Sequence, residues 1–98
     1  MKFDIVINKK TLKDIQKTIE YYDNESDGLG TKFENVLDEH FDTLRINSHF
    51  KIRYKDVRCL PIKKFPYMIH FSTNEIDKTI KIHAVLHTSR NPKIWRNK

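Results

Sequence analysis

Near its C-terminus the chain reads HTSRNPKIW, His87 to Trp95, which gathers a histidine, an arginine, a lysine, a proline and the only tryptophan. Histidine exchanges protons close to neutrality because its side-chain pKa is about 6.5. Arginine and lysine stabilise negative charge as it develops, or grip an anion already formed. The same part of the chain adds His70, His83, Arg53, Arg58, Lys63, Lys64 and Tyr67 to His87 and Arg90. Two kinds of work fit such a set: proton transfer beside an anionic group, or recognition of an acidic surface. Each residue also has a plainer use. His70 and His83 fit histidines satisfied inside a sheet, and Arg90 fits a pair with a helix carboxylate. Pro92 stops a strand and pushes Asn91 toward an extended conformation. Trp95 then folds back over apolar surface, which contributes on the order of 2–3 kcal/mol by area. The stretch therefore reads as a clamp at Pro92 and Trp95 that holds His87 and Arg90 toward a target.

Several other chemistries lack their residues. The histidines at 40, 49, 70, 83 and 87 have no tight metal-ligand spacing. On a strand, His83 and His87 stand about 13 Å apart. Glu39 and His40 are adjacent, so a helix points them in different directions. A single cysteine, Cys59, provides neither a disulfide framework nor a thiolate zinc site and fits a reducing compartment. No glycine-rich phosphate loop or serine-nucleophile motif occurs. No metal and no cofactor are expected.

The elements that must position these residues follow from the spacing of apolar side chains. In KFDIVIN (2–8), Phe3, Ile5 and Ile7 alternate with Lys2, Asp4 and Val6, which predicts a strand. Asn8 is a candidate N-cap for the helix that follows. From Lys9 to Asp23 the spacing becomes helical, with Leu12, Ile15, Ile19 and Tyr22 on one stripe. NESDGLG (24–30) is a loop holding both glycines. A second stripe, Leu29, Phe33, Val36, Leu37, Phe41 and Leu44, predicts a helix to about Asn47. SHFKIRYKD reads as a basic, aromatic connector. Three strands follow at 57–62, 66–72 and 79–87, joined by short turns that imply an antiparallel meander. In the last strand, Ile80, Ile82, Ala84 and Leu86 should share one face. Lys81, His83, Val85 and His87 should share the other.

The order β-α-α-β-β-β predicts an α+β, two-layer fold: an antiparallel helix hairpin on one face of an antiparallel sheet. Ninety-eight residues suit a single domain over 1–98. With 38% hydrophobic and 11% aromatic residues the chain reads as globular. The net charge is +6, unevenly spread. Residues 10–47 hold five Lys/Arg against nine Asp/Glu; residues 48–98 hold twelve against three. The uncovered sheet face should then be basic and attract an acidic partner. No apolar run approaches the roughly 18 residues of a membrane span. The expectation is a soluble, cytoplasmic protein that does not engage membranes.

Three stretches taken in order resemble the RelE/ParE toxin superfamily. They are YYDNESDGLGTKFENVLDEHFDTLRINS, VRCLPIKKFPYMIHF and AVLHTSRNPKIW. The GLG helix start, the FPY triplet and the HTSR-NP-W ending are closest to the ParE-like branch. The resemblance implies the toxin of a bacterial type II toxin–antitoxin system, neutralised by a cognate antitoxin protein. ParE-like members inhibit DNA gyrase; RelE-like members cut messenger RNA in the ribosome. For the first activity, Arg58, Lys63, Lys64, His87 and Arg90 are the expected target contacts. For the second, His87, Arg90, Arg58, Lys64 and Tyr67 are the expected catalytic set. Arg58 and His87 converge with Arg90 only if their strands share the open face. RelE-like ribonucleases commonly carry a C-terminal tyrosine, and here none follows Tyr67. The antitoxin should use the helix hairpin and the sheet rim near 79–87, and an acidic segment would suit them.

Overall fold

The computed structural model describes residues 3–46, 52–54 and 57–88, with backbone alone for 52–54. The elements are β1 (Asp4–Ile7), α1 (Lys9–Glu25), α2 (Leu29–Ile46), β2 (Ile52–Tyr54), β3 (Val57–Pro61), β4 (Tyr67–Asn74) and β5 (Thr79–His87). Their order and layers are those read from the apolar spacing: a helix pair laid on one face of a sheet. One strand was not foreseen. β2 lies inside the stretch read as a connector and pairs antiparallel with β3.

The strand order is β1-β5-β4-β3-β2. The meander is antiparallel, whereas β1 joins the edge of β5 in parallel and makes the sheet mixed. The helix hairpin carries the chain from β1 to β2 at the opposite edge, and the antiparallel steps from β2 through β3 and β4 bring it back to β5, which then runs alongside β1 in the same direction.

The helices start where the sequence supplies partners for free N–H groups. Asn8 Oδ1 accepts from the Thr11 N–H at 2.8 Å and caps α1. Between the helices, Gly28 takes φ +84°. Gly30 lets α2 pass close to α1, since a Cβ there would lie 2.2 Å from the Ile19 carbonyl oxygen. Asp23 Oδ1 accepts from the Gly30 N–H at 2.7 Å and fastens the same crossing. The core lies between the layers, with Ile15, Ile19, Phe33, Leu37, Phe41 and Leu44 against Ile69, Phe71, Ile80 and Ile82.

Two expected faces are corrected. Leu12, read as part of the α1 stripe, is 50% exposed, and Thr11 is buried in its stead. The Thr11 hydroxyl donates to the His83 carbonyl at 3.0 Å, which anchors α1 to β5. That carbonyl is available because β5 bulges: Phe71 pairs with Ile82 and His70 with Ala84, leaving His83 as the extra residue. An extra residue shifts the alternation by one. Val85 and His87 therefore turn to the helix side, and Ala84 and Leu86 turn away.

The sheet face away from the helices is also not the open cationic platform expected. Cys59, Met68 and His70 project there and are buried. Among the described strand residues Lys81 is exposed on that face, while Lys63, Lys64 and Lys78 sit in turns. Basic charge collects at the ends of the strands because strand centres take residues that pack. Among the described residues no helix is long and apolar enough to cross a membrane.

Candidate functional site

Four of the residues singled out from sequence meet at one end of the sheet. The turn from β3 to β4 closes when the Ile62 N–H donates to the Tyr67 carbonyl at 2.9 Å. Lys64 takes φ 70° in this turn, a left-handed conformation, and both Lys63 and Lys64 are exposed. Under them Phe65 is buried, its ring 5.1 Å from those of Tyr22 and of Phe33. Tyr67 packs on the same aromatics, 5.6 Å from Phe33. Its register partner across the sheet is His87, whose ring meets it edge-on at 5.1 Å. The result is a basic, aromatic corner made of Lys63, Lys64, Tyr67 and His87.

His40 braces this corner, and sequence reading had not connected it to the site. Its Nδ1–H donates to the Val36 carbonyl at 2.7 Å, which leaves Nε2 to accept from the Lys63 N–H at 3.2 Å. The ring thus ties α2 to the lysine turn across 23 residues of chain. The one local hint is a histidine placed beside Phe41 on the half-buried flank of α2.

Arg58 stands apart. It registers with Phe71, four residues along β4 from Tyr67, or about 13 Å at strand spacing. β4 also separates its strand from β5. The expected convergence of Arg58 with His87 therefore does not occur, because the two strands are not neighbours and the pairs sit at different heights. Arg90, Pro92 and Trp95 lie outside the described residues, as do His49 and the side chain of Arg53.

The remaining histidines belong to the sheet. His70 has no solvent exposure, and its Nδ1 is 3.3 Å from the Cys59 sulfur. Burial, helped by the nearby His83, lowers its pKa from 6.5 to about 4. His83 is also lowered, first by burial and then by Lys81, and its Nε2 shares a 2.8 Å hydrogen bond with Ser72. Both rings are held in the neutral form, the state that partly buried imidazoles adopt. Among the described residues, no group of three or more His, Cys, Asp or Glu is placed to hold a metal ion.

Over residues 5–92 the sequence matches a family described as the ParE toxin of type II toxin–antitoxin system, parDE. The chain belongs to the ParE toxin family. It is thus the toxin of a type II toxin–antitoxin system, for which a cognate antitoxin is the partner. Solved structures share the fold. A chain of the chromosomal ParDE system from P. aeruginosa superimposes with a TM-score of 0.76 at 15% identity, covering 89% of this ParE-family chain and 97% of that one. A mutant of E. coli toxin RelE in the free state gives 0.57 at 13% identity, covering 91% and 86%. The archaeal RelE–RelB complex from Pyrococcus horikoshii OT3 gives 0.58 at 20% identity, covering 93% and 100%. No curated protein sequence matches the chain.

Proposed function

We propose that this ParE-family toxin arrests growth by binding DNA gyrase in the cytoplasm, without catalysing a reaction of its own. The observation that carries this reading is that each described histidine already has a partner within the fold, His87 at its half-exposed rim. His40 spans α2 and the lysine turn, His70 is sealed beside Cys59, His83 bonds Ser72, and His87 packs on Tyr67. General acid–base catalysis needs a group within hydrogen-bond reach of the substrate proton, with a pKa near the working pH. A binding surface needs only exposed, positioned contacts. Lys63 and Lys64 provide these on a braced turn, with His87 beside them. Arg58 and Arg90 are proposed as flanking contacts.

A second reading, a ribosome-dependent endoribonuclease acting on messenger RNA, draws on the Tyr67–His87 pair in the same corner. One assay separates the two. Purified chain titrated into a gyrase supercoiling reaction should abolish supercoiling, and the cognate antitoxin should restore it. Full supercoiling at saturating chain would remove gyrase as the target. If messenger RNA also stayed intact, only a binding module would be left.

A further inference from the structure

The two partners of His40 decide the state of its ring. Both are backbone groups, and each can play one part only. The Val36 carbonyl can only accept, so Nδ1, 2.7 Å away, carries the proton. The Lys63 N–H can only donate, so Nε2, 3.2 Å away, presents a lone pair. The imidazole is therefore neutral and in a single tautomer. His70 and His83 differ in this respect. Cys59 and Ser72 can each donate or accept, so those contacts impose no ring state.

The turn that His40 meets needs a hold from outside. Lys64 takes φ 70° there, a conformation that favours glycine over lysine. The backbone bonds within the turn run from the Ile62 N–H to the Tyr67 carbonyl at 2.9 Å and from the Tyr67 N–H to the Phe65 carbonyl at 2.8 Å. Neither uses the Lys63 N–H, which the ring takes instead. One helical turn away from His40 on α2 stand Val36, Leu37, Thr43 and Leu44, none of them charged. Glu39, its neighbour in sequence, points to a different side of the helix. The charges that the turn brings beside the ring are those of Lys63 and Lys64.

We propose that His40 is a positioning residue for the target contact: its neutral ring fixes the turn that presents Lys63 and Lys64, and protonation of the ring releases that turn. An imidazolium has an N–H at both nitrogens. It can no longer accept from Lys63, and it adds a positive charge beside two lysines. The hydrogen bond and a proton on Nε2 exclude each other. Histidine exchanges its proton near neutrality, so the toxin is potent above that range and weakens below it. The inference rests on the reading of Lys63 and Lys64 as contacts to a protein target. It adds to them a residue on α2 that acts through the turn.

The test compares wild type with His40→Gln and His40→Phe. Glutamine keeps an acceptor near the position of Nε2 and does not titrate; phenylalanine keeps a ring and has no acceptor. Purified chains, confirmed as folded by thermal unfolding, are titrated into the gyrase supercoiling assay at about pH 7.5 and about pH 6, either side of the histidine range. The ratio of wild type to His40→Gln at each pH cancels the response of gyrase and of the other histidines. At the higher pH His40→Gln should match wild type. His40→Phe should lose on the order of threefold to tenfold in potency, the worth of one hydrogen bond. At the lower pH wild type should fall toward His40→Phe while His40→Gln holds. Nitrogen NMR should show Nδ1 protonated and Nε2 bare, and the Lys63 amide should shift with the same midpoint as the His40 ring. Full potency of folded His40→Phe, equal losses in both variants, a ratio that does not change with pH, or the opposite tautomer would each overturn the inference. So would a wild type that neither inhibits supercoiling nor arrests growth. If wild type arrests growth yet leaves supercoiling untouched, gyrase is the wrong target, and His40→Phe against His40→Gln in the growth assay decides the role of His40.

Discussion

β4 ends in a turn on each side, and each turn contains a lysine in the left-handed region, Lys64 at φ 70° and Lys78 at φ 57°. Beyond that the two differ in what holds them and in what they show. The first turn is braced from outside, by the His40 ring on α2 and by the aromatic cluster under Phe65. It hides its apolar residue and presents cations. The second is shaped from within, by the Asn74 side chain, meets the body through Lys78, and presents Ile76 between two acids. A turn fastened to the core is bound up with stability, because changing it disturbs packing. A turn fastened to itself can change its tip at little cost to the fold. The first is suited to a fixed electrostatic contact.

The sharpest way to break this comparison is to truncate the apolar residue of each turn. Phe65→Ala should cost about 3–5 kcal/mol in chemical unfolding, the usual range for removing a buried ring. Ile76→Ala should stay within about 0.5 kcal/mol of wild type, as exposed sites do. Similar losses at both positions would show that the second turn is not detached from the core.

Between the turns, near the middle of β4, His70 makes stability depend on pH. Its pKa falls from 6.5 in the unfolded chain to about 4 in the fold. On acidification the unfolded chain therefore takes up the proton first. The contribution is fully present above pH 6.5 and is lost as pH drops through 4, on the order of 3 kcal/mol in all. Denaturation midpoints at pH 7 and pH 5 should differ in wild type and differ less in His70→Gln. The same slope in both proteins would place the titration elsewhere.

The smallest effect distinguishes the two lysines. Glycine relieves a left-handed residue but loosens the unfolded chain, so the net gain is a few tenths of a kcal/mol. Lys64→Gly should show that gain in its melting temperature. Lys78→Gly should gain less or lose, because Lys78 also contacts Phe3 and Glu75.

Local spacing made most of the fold legible. The stripe from Leu29 to Leu44 marked α2, and the alternation in residues 79–87 marked β5. What it missed was set at long range. β2 is three residues in a basic stretch, too short for a period to register. The parallel seat of β1 has no local signature, because it is set by where the last strand of the meander comes to lie. The β5 bulge leaves the sequence alternating while the fold does not, so the facing of Val85 and His87 came out reversed. The Lys63–Lys64 turn was legible from its charge and its place between strands. The Tyr67–His87 pair depended on the hidden bulge, and His40 on packing 23 residues away. Ile76 read as one more turn residue, since nothing in TNEIDK states that its isoleucine stays outside.

The central claim is that the chain acts by binding and leaves RNA uncut. Mapping messenger RNA ends by primer extension, in cells arrested by the chain without its antitoxin, tests this most directly. The account predicts that arrest begins with no new ends inside translated messages. A ladder of cuts within codons, appearing at the onset of arrest and absent when antitoxin is supplied, would contradict it.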